Sequence, residues 1–351
     1  MKNKKLITFA AIFCSISTLM AGCDTPFGNL TNQTTSQTDA TSISDTGTDV
    51  SSAGTSDTAT DTSIILTDDP VASGTTKSTT GKRDNTSVCL VPTAPGTVSY
   101  SNESAILDVT NSSEGYVVVQ YLGKSSKVKL QITGPDAVTY TYNLHGGQEV
   151  FPLSAGTGSY TIGVFENITG NQYATAFSKT LDLNITNIFG AFLYPNQYVA
   201  FNADSKVVAK ASVLAKSADT DLDVVSNVYN YIIKNISYDY DEAETVKSGY
   251  IPVVDDILAS GKGICLDYAA VMTSMLRSQQ IPTRLEVGYA ADAYHAWIST
   301  YIKDVGWVNG IIEFDGTNWE LMDPTFAANS SEKDLKNFIG NGSNYVTKYI
   351  Y

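Results

Sequence analysis

The sequence predicts an α+β protein: a β-sandwich, then a domain of helices followed by an antiparallel sheet, all behind a polar tether. Three observations carry this. Short alternating apolar runs recur between Gly-rich turns from about residue 88 to 188. The apolar period lengthens to helical spacing after about Tyr194. From about Arg284 it shortens again to strands. Helices first and antiparallel strands afterwards make an α+β arrangement. The predicted segments are 1–22 (export signal), 23–85 (tether), 86–190 (β-sandwich, Ig-like) and 191–351 (helix-plus-sheet domain).

Residues 1–22 read as a targeting segment. Lys2, Lys4 and Lys5 begin it, and residues 6–19 form a mostly apolar stretch too short for an ordinary membrane span. It ends in Met20-Ala21-Gly22-Cys23. Small residues before a cysteine at this place resemble the bacterial lipobox, with Met20 a departure from the usual Leu. The resemblance implies cleavage before Cys23, diacylglyceryl attachment to its sulfur, and anchoring on the outer face of the cell membrane. Two or three acyl chains anchor stably, because each buried CH₂ contributes about 0.8 kcal/mol. Residues 24–85 are mostly Ser, Thr, Asp, Gly and Ala, too polar to offset their ordering entropy. As a flexible chain they have an r.m.s. span of about 40–50 Å.

In the β-sandwich segment, strands are expected at 116–121, 128–132 and 160–165, with turn signals at Gly134-Pro135-Asp136, His145-Gly146-Gly147 and Thr169-Gly170-Asn171. His145, beside two glycines, reads as a solvated loop residue. Downstream, Val207, Val208, Ala211, Leu214 and Ala215 fit one helix. Leu222, Val225, Tyr229, Ile232, Ile233 and Ile236 fit a second, with Asp219, Asp221 and Asp223 at its N-terminal end. Residues 263–280 read as a turn and a helix, which Ile281-Pro282 stops. Strands are expected at 284–289, 294–302, 307–314 and 318–322, with Asp315-Gly316 a hairpin signal between the last two and a short helix at 332–339.

The chemistry-bearing residues lie in this second half. Glycines lead into the helix at Gly261-Lys262-Gly263-Ile264-Cys265, so Cys265 falls at its start. Backbone N–H groups and the helix dipole there favour a thiolate, and the same N–H groups could face an oxyanion. His295 is the only histidine after His145, and so the only imidazole available to shuttle a proton in this domain. Asp323 ends a strand that could pair beside the histidine strand, where its carboxylate would fix the ring. A lone cysteine would read as a small buried hydrophobe; the ordered set makes it a nucleophile candidate.

The ordered motifs resemble the transglutaminase-like (papain-like) superfamily. They are Gly263-Ile264-Cys265, Asp267-Tyr268-Ala269, Leu276-Arg277, Ile281-Pro282-Thr283-Arg284, Gly288-Tyr289, His295-Ala296-Trp297 and Asp323-Pro324-Thr325. The resemblance spans roughly 219–328 and implies Cys265 as nucleophile, His295 as general acid/base and Asp323 as orienter. Exported bacterial proteins with a β-sandwich before such a domain look similar. The stretch 303–317 is longer than in the shortest family versions. Asp267 is expected to complement the helix dipole, and Arg277 and Arg284 to be salt-bridged or solvated.

The expected activity is thiol acyl transfer on amide bonds of peptide, protein or cell-wall substrates, more a peptidase or amidase than a cross-linking transglutaminase. The competing expectation is a non-catalytic surface binding or scaffold module. A net charge of -14 with no basic cluster beyond the first residues argues against nucleic acid. No ligand spacing suggests a metal, and no cofactor is expected. Of four cysteines, Cys14 leaves with the signal and Cys23 takes lipid, which leaves Cys89 and Cys265 free or paired with each other.

Overall fold

The computed structural model describes residues 83–290, 292–303, 305–309, 311–314, 319–322 and 345–351. Cys23, the signal, nearly all of the tether, Asp323, the turn at Asp315-Gly316 and the helix expected at 332–339 lie outside the described residues.

Eight strands come first: β1 (Ser99–Ser101), β2 (Ala105–Asp108), β3 (Tyr116–Tyr121), β4 (Val128–Thr133), β5 (Thr139–Leu144), β6 (Gly147–Pro152), β7 (Gly158–Thr169) and β8 (Gln172–Leu183). They make two four-stranded antiparallel sheets, ordered β1-β2-β3-β6 and β5-β4-β7-β8. Alternation decides which side chains go in. In β4, Val128, Leu130 and Ile132 are buried while Lys129, Gln131 and Thr133 are half-buried. Val117, Val119 and Phe151 of the first sheet share a core with Leu130, Ile162 and Val164 of the second. His145 sits in the β5–β6 turn, where Gly146 and Gly147 take positive φ; it is exposed and faces Glu149 at 3.5 Å.

Among the described residues, five α-helices follow. α1 (Lys206–Ala215) buries Val207, Val208, Ala211 and Ala215, and its first N–H groups donate to Asp255. α2 (Asp221–Asn235) starts at a capping box between Thr220 and Asp223. After β9 (Ser237–Tyr238) come α3 (Tyr240–Thr245) and α4 (Val254–Ser260), which ends at Gly261 in the left-handed region. β10 (Lys262–Gly263) pairs parallel with β9 and leads into α5 (Cys265–Ser278), every residue of which is buried.

The remaining strands are β11 (Thr283–Ala290), β12 (Ala293–Ile302), β13 (Gly306–Asn309), β14 (Ile311–Phe314), β15 (Trp319–Met322) and β16 (Tyr345–Ile350). One antiparallel sheet has the order β13-β12-β11-β16, and β14 and β15 pair separately. Two expectations need correction here. The strand expected at 307–314 is two strands in different sheets. The strand before Asp323, β15, pairs with β14, whereas the neighbours of β12 are β11 and β13. Alternation along one segment marks strands but does not choose their partners.

α5 packs against β11 and β12. Ala269, Met272 and Leu276 of α5 share one core with Leu285, Val287, Ala296 and Ile298. The same continuous core reaches the first two sheets through Tyr351, whose ring meets Tyr140, Tyr142 and Tyr198. Residues just before the first strand dock on the helices instead: Arg83 binds Asp221 at 2.6 Å, and the Val88 N–H donates to the Ser278 carbonyl at 2.9 Å. Among the described residues, no helix is long and apolar enough to cross a membrane.

Candidate active site

The start of α5 is built by its own sequence. The Asp239 N–H donates to the Gly263 carbonyl at 3.0 Å, which pins β10 beside β9. Asp267 then turns back toward the helix start. Its carboxylate accepts from the Ile264 N–H at 2.8 Å and from the Tyr250 hydroxyl at 2.9 Å. A Cβ on Gly263 would come within 2.6 Å of the Asp267 Cβ, so this close return requires glycine. Cys265 is thereby fixed as the first helical residue, with 1% of its surface exposed.

Burial pushes the Asp267 carboxyl up to about 7. The Ile264 N–H and the Tyr250 hydroxyl oppose the rise, while the charges of Glu242 and Asp239 add to it. Tyr250 is raised in turn by burial and by Asp267. Tyr238 stands next to the thiol: burial raises its hydroxyl first, and negative charge on Cys265 raises it further. Its ring lies 5.1 Å from Tyr240 and 6.5 Å from Tyr268. Asp267 sits in the first turn of α5, where the dipole expectation placed it, and it also ties the helix start to Tyr250.

His295 lies near the start of β12, directly opposite Gly288 of β11, and is 2% exposed. α5 and β11 both run from the turn at residues 279–282. Cys265 is about 20 Å from that turn along the helix, at 1.5 Å per residue. Gly288 is about 17 Å from it along the strand, at about 3.4 Å per residue. Cys265 and Gly288, the partner of His295, thus lie at similar distances from that turn along their own elements, and β12 packs against α5. His295, Trp297 and Ser299 alternate along β12 with the core residues Ala296 and Ile298. The imidazole is nearly parallel to the Trp297 ring, at 6.2 Å and 24°. Tyr345 of β16 lies 6.4 Å from His295 and 5.0 Å from Trp297. Beside them Glu286, also buried, accepts from the Ser299 hydroxyl and, at 2.6 Å, from the Thr347 hydroxyl.

The expectation for Arg277 changes. Arg277 is 1% exposed and donates to the carbonyls of Tyr194, Thr283 and Tyr351 at 2.7 to 3.0 Å. Burial lowers it to about 9, which still leaves it charged at neutral pH. Arg284 stacks over Trp307 at 3.7 Å and over Phe192 at 5.0 Å. Local sequence could not separate these roles from solvation, because the acceptors and rings come from distant segments.

Cys89 and Cys265 are both free thiols. The Val88 N–H bonds to Ser278, at the far end of α5 from Cys265. That places the two cysteines about 20 Å apart along the helix, against the roughly 4.4–6.8 Å between Cα atoms that a disulfide needs. Burial pushes the Cys89 thiol up. Among the described residues, no cluster of three or more His, Cys, Asp or Glu could hold a metal ion. Tyr238, Tyr250, Glu286 and Tyr345 are the site's neighbours that sequence reasoning missed. Only Tyr345 carried a signal, the alternation of residues 345–350.

Residues 209–310 match the family model described as the transglutaminase-like superfamily. A UPF0252 protein of Methanocaldococcus jannaschii is 27% identical over 96 residues, 24% of this chain and 27% of that protein. The match thus spans about a quarter of the relative's length. Among solved structures, a Cytophaga hutchinsonii protein provisionally named a cysteine protease is 18% identical, with a TM-score of 0.32; the match covers 65% of this chain and 79% of that one. For red sea bream transglutaminase the identity is 14% and the TM-score 0.25, over 62% of this chain and 49% of that one. The family match, and not these structural likenesses, locates the domain. The chain therefore carries a transglutaminase-like domain over residues 209–310, and both Cys265 and His295 lie within it.

Proposed function

We propose that this protein is an exported, lipid-anchored thiol acyl-transfer enzyme that hydrolyses amide bonds with Cys265, His295 and Asp323. The observation that carries the reading is Cys265 at the first turn of a buried helix, with His295 buried on a strand packed against that helix. In the reaction, the Cys265 thiolate adds to the amide carbonyl, and N–H groups at the helix start face the oxyanion. The His295 imidazolium gives its proton to the departing amine as the C–N bond breaks, leaving a thioester. Water then adds to the thioester while the imidazole takes its proton, and loss of the thiolate releases a carboxylic acid. Asp323 orients the imidazole in this reading. A primary amine in place of water would give transamidation.

The two N-terminal sheets act in this reading as a β-sandwich spacer or binding module. Cys23 holds the chain to the outer face of the cell membrane through lipid, and the substrates are peptides or proteins there, wall peptides included.

A thiol-reactive electrophile tests the chemistry. Wild type should label rapidly near neutral pH, Cys265→Ala not at all at this site, and His295→Ala slowly. Labelling no faster than a model thiol would leave a non-catalytic module. Peptides incubated with and without a primary amine, then weighed by mass spectrometry, separate cleavage from amine adducts. Cys23→Ala should leave the membrane fraction; if it still sediments with membranes, the anchor reading fails.

A further inference from the structure

We propose that Tyr345, outside every motif that marks the site, is a positioning residue that holds the His295 imidazole in place. This rests on His295 being the acid/base of the proposed reaction. β12 and β16 are not neighbours, because β11 lies between them. Strands two places apart are separated by about 9–10 Å. Rings from β12 and β16 can approach each other only if the residue between them is small. That residue is Gly288, paired with His295 on one side and Thr347 on the other. The close approach of β16 requires glycine there too, since a Cβ on Gly288 would run into the Val346 carbonyl oxygen. A register shift at Val287/Gly288 accommodates the approach.

Two residues back along β11, Glu286 grips both flanking strands. It accepts from Ser299 of β12 and from Thr347 of β16. This clamp sets β16 so that the Tyr345 ring meets Trp297 edge-on at 5.0 Å and 78° and stands tilted at 55° beside the imidazole. The three rings form a triangle, with the imidazole 6.2 Å from Trp297 and 6.4 Å from Tyr345, so that Tyr345 touches both the imidazole and the ring stacked beside it. Aromatic contacts in this range contribute about 0.5–1.5 kcal/mol each and limit how the ring can tilt. A proton shuttle needs that restraint, because its transfer geometry tolerates little displacement.

The chain has two histidines, so His145→Gln leaves His295 as the single imidazole for NMR. In that background of the full chain, Tyr345→Leu keeps bulk and removes the ring, Tyr345→Phe keeps the ring, and Thr347→Val loosens β16 without touching the imidazole. Tyr345→Leu should move the His295 Hε1 resonance out of ring-current shielding and shift its titration midpoint. It should also lower kcat/KM by between about two- and tenfold. Tyr345→Phe should restore both, and Thr347→Val should move the resonance in the same direction by less. An unchanged His295 resonance and titration in Tyr345→Leu overturns the proposal, as does a Phe variant that behaves like Leu. The NMR readout needs no turnover. An unlabelled Cys265 would count against the acyl-transfer reading and leave the Tyr345 result standing.

Discussion

Asp267 offers a quantitative test of how the helix start is held together. Its carboxyl is fully buried, and burial raises it from 3.8 to about 7. The folded state therefore binds this proton more tightly than the unfolded state does. The contribution to stability is fully present below about pH 4 and is lost as pH rises through about 7. At about 1.4 kcal/mol per pH unit, that loss is about 4 kcal/mol. Asp267→Asn is close to isosteric: its carbonyl can accept from the Ile264 N–H, and its amide can donate to the Tyr250 oxygen. Urea unfolding of both proteins at intervals from pH 4 to 8 provides the assay. Other groups titrate alike in the two proteins, so the difference between their stabilities isolates Asp267. Wild type should lose up to about 4 kcal/mol relative to the Asn variant across that range. Parallel stability curves would show that the carboxyl ionises at an ordinary pH and that its burial plays no part.

Three further outcomes follow from the packing. Arg277→Met should lower stability by about 3 kcal/mol or more in urea unfolding, because three buried carbonyls lose their donor; a loss under about 1 kcal/mol would mean that water replaces the guanidinium. Gly288→Ala should cost about 1–3 kcal/mol, since β16 must shift to clear the new Cβ; an unchanged Tm would contradict the close approach. Under oxidising conditions, non-reducing peptide mapping should find no Cys89–Cys265 peptide, and detection of one would refute the separation of these thiols along α5.

What could be read from the sequence was local. Capping and apolar spacing place α1, α2 and α5 close to their observed bounds, and alternation places β3, β4, β11 and β12. The glycines before Cys265 are enough to put it at a helix start, and the rarity of histidine singles out His295. These features depend on neighbours within a few residues, where dihedral preference, capping and side-chain period act directly. The tertiary structure alone decided the partners. It joined β15 to β14, brought β16 to β11, and set the Tyr345 ring beside Trp297 and His295 across a glycine. It gave Arg277 three carbonyls in place of a carboxylate, and it moved Cys89 to the end of α5 away from Cys265. Each of these joins segments far apart in the chain, as Gly288 with Thr347 or Arg277 with Tyr194. No local period encodes such pairings, because they follow from how the sheet and the central helix share one core.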